Sequence, residues 1–216
     1  MTSAGLPPDL RSRLLERVAK TPSPTQPQVQ RRRVLWIALA ATPLLAFAGM
    51  MGVDHVSRPA VTVGATFMTA LVVATGTTRW ALGRGRNMLG KGQVELGLAT
   101  AIAPAPLLVA FALSTWGLPA HVQVDDARCA MMTIFLAAIP LLVLLTLERR
   151  SELREPSLRG LPLGAAAGAW PAVPMPLTCG GTALGHYALA HVAPIFLVAL
   201  AGAALGARWL GVRSAK

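Results

Sequence analysis

An all-α fold, a polytopic six-helix transmembrane bundle preceded by a short cytoplasmic N-terminal helix, is what this sequence predicts. Three observations predict it. Of 216 residues, 54% are hydrophobic and only 13% charged, more apolar matter than one soluble core of that size needs. Long runs carry no charge, and the basic residues fall almost entirely in alternate loops.

Residues 1–33 read as a cytoplasmic front end, a helix followed by a tether. Pro7, Pro8 and Asp9 make a helix start, with proline tolerated in the first turn and a carboxylate favoured near the positive end of the helix dipole. Leu10, Leu14 and Val18 recur at i, i+4 and i+8, with Leu6 or Leu15 widening the stripe, while Arg11, Arg13, Glu16, Arg17 and Lys20 cover the other faces. A helix of about eleven residues is marginal alone in water. Its stripe therefore needs a surface: a partner's groove, the bilayer, or the protein's own loops. Residues 21–30, TPSPTQPQVQ, hold three prolines and no charge and predict an extended spacer. Arg31, Arg32 and Arg33 then meet the anionic inner leaflet.

Residues 34–209 form the predicted membrane domain. The stretches 34–53 and 59–78 contain no charged residue, and each can cross a hydrocarbon core of roughly 30 Å at about 1.5 Å per residue. Residues 93–116 follow, broken only by Glu95, where Lys91 can pair with it; residues 129–147 carry no charge. Residues 161–177 are apolar but rich in Ala, Gly and Pro, with Pro162, Pro171, Pro174 and Pro176, so a kinked or partly helical fifth span is expected. Residues 187–207 complete the set, and 210–216 form a tail. Gly160, Gly164 and Gly168, and likewise Gly202 and Gly206, recur at four-residue intervals that let helix backbones approach closely. A charged, proline-bearing stretch ahead of the first apolar run leads us to expect a retained anchor rather than a cleaved signal peptide.

A net charge of +11 would suggest nucleic acid in a soluble protein, but the placement of the charges decides otherwise. With six spans, 18 of the 20 Lys and Arg residues fall on one side and only Arg58 and Arg128 on the other. This positive-inside asymmetry puts both termini in the cytoplasm and makes direct nucleic-acid binding an unneeded explanation.

The reactive side chains gather on the outer side. Cys129 opens the fourth span and Cys179 closes the fifth, so a disulfide, two packing cysteines and metal ligation are all open. His55, His121, His186 and His191 map there too, but no recognised ligand spacing links them, and capping of loops and helix ends is the plainer role. His191 lies a turn inside the sixth span, and an ionisable group there is a functional candidate by default. There is no phosphate-binding glycine loop, nucleophile elbow, HExxH or series of buried carboxylates. The expectation is a non-enzyme with no catalytic residue, no metal ligand and no cofactor.

Two stretches, REPSLRGLPLGAAAGAW and CGGTALGHYALAHVAPIFLVALAGAALGARWL, join an Arg-x-x-Pro element to a glycine-rich fifth span, then a cysteine, paired histidines and a glycine-rich last span. Together with the front LPPDLRSRLLERVAKTPSPT, this resembles the NrsF-type integral-membrane anti-sigma factors, including their myxobacterial, carotenoid-regulating members. The resemblance implies a protein of the bacterial inner membrane that sequesters an ECF-type sigma factor through its N-terminus and releases it on a stress or light-generated reactive-oxygen signal. It implies sigma contacts by Leu10, Leu14, Leu15 and Val18, flanked by Arg13 and Arg17. It makes Cys129, Cys179, His186 and His191 a sensory or structural cluster, a disulfide among its forms. The chain departs from soluble anti-sigma factors in lacking their cytoplasmic zinc motif of a histidine and two cysteines. Homo-oligomerisation is left open. The competing expectation is a membrane metal or redox protein that uses the outer Cys and His groups.

Overall fold

The computed structural model describes Ser12, Glu16 and residues 26–51, 60–83, 92–102, 104–117, 125–149 and 155–210. The chain divides into two compact units, Met1–Leu35 and Trp36–Lys216. In the first, Ser12 and Glu16 are helical. Leu10, Arg13, Leu14, Leu15, Arg17 and Val18 lie outside the described residues.

Helix α1 runs from Gln26 to Met51, which corrects the expected spacer over residues 21–30: its last five residues are helical. Pro27 sits in the first turn, where a missing N–H costs nothing. Once the apolar run has nucleated a helix, adding Gln and Arg residues at its N-terminus is inexpensive.

Among its described residues the second unit is built of helices joined by short turns and loops, with no strand. Helix α2 spans Ala60–Leu82, α3 Gln93–Ile102, α4 Ala105–Ser114 and α5 Asp126–Glu148. Helix α6 spans Pro156–Ala169 and continues through a 3-10 turn, Trp170–Ala172, to the short α7, Met175–Thr178. The last segment is α8, Leu184–Tyr187, a π-helical turn, Ala188–Val192, and α9, Ala193–Trp209.

Among the described residues, three helical segments are long and apolar enough to cross a membrane: Ala60–Leu82, Asp126–Glu148 and Leu184–Trp209. Large apolar side chains face outward along them, among them Val61, Met68, Phe135 and Leu200, a surface suited to hydrocarbon rather than water. On α2 the hydroxyls of Thr66, Thr69, Thr75 and Thr77 donate to carbonyls three or four residues back, so these four protons are satisfied within the helix even in an apolar medium.

The remaining predicted spans take other forms. Residues 93–116 are two helices rather than one: Pro104 and Pro106 remove two ladder donors within three residues, and α4 restarts with Leu107 and Leu108 donating to Pro104 O at 3.2 and 3.3 Å. The fifth segment is kinked as its prolines predict.

Helix α6 is the centre of the unit. It packs on α2, α3, α5 and α9, and Pro162 through Ala169 are all buried. Its small residues are the reason α9 can lie against it. A Cβ added to Gly160 would meet Gly202 O at 2.1 Å, and one added to Gly164 would meet Val198 O at 2.4 Å. Reciprocally, a Cβ on Gly202 or Gly206 would strike Gly160 O at 2.5 Å or Pro156 O at 2.6 Å. The glycine spacings therefore serve backbone contact between the two helices, as expected.

Two polar links tie α6 to its neighbours. Trp170 Nε1 donates to Thr78 Oγ1 at 3.0 Å in the buried interior. At the other end Arg159 donates to Gly83 O at 3.0 Å and pairs with Glu148 at 3.8 Å, both side chains almost wholly buried.

Candidate metal and sensory site

Asp125 starts α5 as an N-cap, its carboxylate accepting from Ala127 N at 3.0 Å and Arg128 N at 3.2 Å. The helix so begun carries Asp126, Cys129 and Thr133 at i, i+3 and i+7, which is one face. Cys129 stands nineteen residues before Glu148 on the same helix. At about 1.5 Å per residue that is about 28 Å, close to the roughly 30 Å of a hydrocarbon core. The face formed by the start of α5 and the buried Arg159–Glu148 pair thus lie at opposite ends of the helix.

The facing wall is residues 179–192. Cys179 leaves α7 with its N–H donating to Met175 O at 2.9 Å. The Gly180–Gly181 step then lets the chain turn against the His186 ring: a Cβ on Gly181 would stand 2.7 Å from His186 Cδ2 and 3.2 Å from Nε2. His186 and His191 follow, 6% and 1% exposed, so both imidazoles are interior groups.

The π-helical turn explains why spacing did not expose this pair. Residues five apart on an α-helix are rotated by about 140°. A π turn closes its backbone bond at i+5 and gathers an extra residue per turn, bringing such a pair back towards one side. The two rings are accordingly neighbours, centroids 5.3 Å apart and edge to face at 82°.

One ligand atom from each of Cys129, Cys179, His186 and His191 lies within 4.8 Å of every other. Cys179 Sγ is 3.3 Å from His186 Nε2. The other ring nitrogen of His186, Nδ1, bonds the Asp126 carboxylate. His191 Nδ1 is 3.1 Å from Thr133 Oγ1, which in turn bonds Cys129 O at 2.9 Å and Ala190 O at 3.0 Å. Tyr187 leans on His191 at 5.5 Å and stacks on Phe111 at 3.9 Å, giving the imidazoles an apolar flank.

The four outer residues named from the sequence are therefore one cluster, and neither cysteine is in a disulfide. His55 and His121 lie outside the described residues. The expectation of no metal ligand rested on the five-residue histidine spacing, whereas the folded chain supplies two thiols and two imidazoles, a donor set that suits a soft or borderline transition-metal ion. Asp126, Thr133 and Gly181 were not anticipated. For the first two, the i, i+3, i+7 pattern with Cys129 was the available signal.

No protein-family model matches the chain, and no curated protein or solved structure does either.

A second feature is a lateral cavity of about 490 Å³ lined by Val72, Gly76, Trp80, Glu95, Leu98 and Pro106 among others. Its walls are almost entirely apolar, and Glu95 is exposed beside it. It shares no lining residue with the Cys–His cluster.

Proposed function

We propose that this protein is a membrane-anchored anti-sigma factor that senses at its outer face and acts at its inner one. It crosses the inner membrane six times with both termini cytoplasmic, and residues 1–20 hold an ECF-type sigma factor. The Cys129–Cys179–His186–His191 cluster is the sensory end. The observation that carries this proposal is the convergence of two thiols and two imidazoles within 4.8 Å at the end of α5 opposite the basic loops. These are the side chains that a soft metal ion or an oxidant engages.

Several features support the crossing count. The apolar part of α1, α2, the broken α3–α4 pair, α5, α6 with α7, and α8 to α9 are six helical stretches that six passes would use, and the split of 18 to 2 basic residues fits that alternation. The sigma-binding end is supported by the apolar stripe of Leu10, Leu14, Leu15 and Val18 and by the quoted likeness to NrsF-type regulators. Tethering confines the partner to the membrane, away from polymerase. Release by a conformational change would need about 5.5 kcal/mol of differential affinity to move a population from 1:99 to 99:1, so loss of the regulator is the simpler route.

The same cluster favours a second function, a membrane metal or redox protein with no sigma partner. Co-purification from native membranes separates the two. The intact chain brings down a sigma factor and a Leu10→Asp, Leu14→Asp, Val18→Asp variant that inserts normally does not. Identical partners for both, or none, would refute the anti-sigma function and leave the metal or redox one.

A further inference from the structure

Hydrogen bonding on the far side of each imidazole decides which nitrogen faces the cluster. Asp126 can only accept when ionised, so His186 carries its proton on Nδ1 and turns an Nε2 lone pair towards Cys179. The Thr133 hydroxyl has one proton, and carbonyl oxygens of Cys129 and Ala190 lie within 3.0 Å to take it. Its oxygen is then an acceptor, and His191 donates to it from Nδ1. His191 is therefore also an Nδ1–H tautomer, with its buried Nε2 as the ligand atom.

We infer that Cys129, Cys179, His186 and His191 form a closed four-coordinate site for a zinc-class d10 ion, bound through two Sγ and two Nε2, with Asp126 and Thr133 as positioning residues. The inference rests on the cluster being the sensory end, but not on the identity of the cytoplasmic partner. A tetrahedral S2N2 set is the arrangement that zinc takes in structural sites, with bonds of about 2.3 Å to sulfur and 2.0 Å to nitrogen. Those bond lengths place the ligand atoms roughly 3.3–3.8 Å apart, so the present spread, 4.8 Å at its widest, closes by about 1.5 Å at most. The Gly180–Gly181 step and the surface carboxylate of Asp126, 53% exposed, leave room for that adjustment. Binding replaces the two S–H bonds by two metal–sulfur bonds and passes two protons to solvent, with no change of oxidation state.

Four protein ligands leave no open position for a substrate, so the site holds an ion rather than activating water. Its ligands come from α5, from the loop after α7 and from the segment that opens α9. Ion binding therefore clamps the start of the last span to the start of α5, which is a structural output available to a sensor.

The test uses the full chain in detergent micelles under a thiol reductant. Zn2+ is titrated against a chromophoric chelator, and Co2+ serves as a spectroscopic probe. The expected result is one Zn2+ per chain in the intact protein and none in a Cys129→Ser, Cys179→Ser variant. Co2+ should give a thiolate charge-transfer band with intense tetrahedral ligand-field bands. Asp126→Ala should weaken Zn2+ binding by about 10–100-fold and shift the ligand-field bands while keeping the charge-transfer band. Asp126→Asn, whose amide oxygen can still accept from Nδ1–H, should recover most of the affinity. Thr133→Val should act like Asp126→Ala, and Thr133→Ser should restore binding. An intact chain that binds Zn2+ no better than the double serine variant overturns the site. Full Zn2+ affinity and unchanged Co2+ spectra in both Asp126→Ala and Thr133→Val overturn the positioning roles alone. A chain that binds Zn2+ yet holds no sigma factor refutes the anti-sigma function and leaves this inference standing.

Discussion

Cys179 Sγ and His186 Nε2 stand 3.3 Å apart, held there by a glycine. Gly181 occupies the space beside the imidazole that any side chain would fill, since a Cβ would lie 2.7 Å from His186 Cδ2. Gly181→Ala should push the ring off Cys179 and Asp126 and lower Zn2+ affinity by roughly tenfold or more. Chelator competition measures it. Gly185→Ala, where a Cβ meets nothing within 4 Å, is the control and should bind as the intact chain does.

Thiol chemistry gives an independent readout of the same cluster. Neither Cys129 nor Cys179 is in a disulfide and both are partly exposed, so both should react with a small alkylating agent in the metal-free chain. Bound Zn2+ should slow both reactions together, because each sulfur then shares its lone pair with the ion. Mass spectrometry of alkylated peptides, with and without Zn2+, tests this. Protection of one cysteine alone would contradict a shared site.

Helix contact predicts a different failure. Gly164→Leu would place its Cβ 2.4 Å from the Val198 carbonyl oxygen, and backbone cannot step aside as a side chain can. Separating α6 from α9 should cost about 3 kcal/mol or more, read as a lower unfolding midpoint in detergent. Gly64→Ala, with open space around it, should leave the midpoint unchanged or raise it.

The Trp170–Thr78 bond crosses ninety-two residues to join α6 to α2. Thr78→Val keeps the shape but strands the buried indole N–H, at a cost of about 1–3 kcal/mol. Trp170→Phe together with Thr78→Val removes both partners, and a double-mutant cycle should show positive coupling.

Glu148 and Arg159 are side chains 6% and 10% exposed. Glu148→Leu leaves the guanidinium buried beside Gly83 O without its carboxylate and should cost about 3–5 kcal/mol. Adding salt should not reproduce the loss, because a pair this buried is poorly screened. Detergent unfolding of the variant, and of the intact chain at high salt, checks both statements.

Much of this architecture was legible in the residues. Uncharged runs specified where apolar helices form, because an unpaired backbone or a stray charge is costly in hydrocarbon. The ends of α2, α5 and the last segment fall within a few residues of the expected bounds. The glycines at four-residue intervals announced close helix packing, and the structure shows that α6 and α9 are the pair that uses it. The break between α3 and α4 was written in Pro104 and Pro106 but was overlooked, since hydropathy alone does not register a lost N–H.

The sequence by itself determined the helical class, the presence of helices long and apolar enough to cross a membrane, the kinked fifth segment and the four residues worth watching. A family resemblance grouped those four, but only the tertiary structure decided that their ligand atoms meet. Cys129 and Cys179 are fifty residues apart, and no local rule of spacing relates them. Their meeting depends on α6 drawing α9 to within glycine contact, on α5 lying against the last segment, and on a π turn rotating His191 towards His186. Hydropathy is a property of each segment, whereas a ligand set is a property of how segments are packed, and packing is set by contacts that no single segment contains.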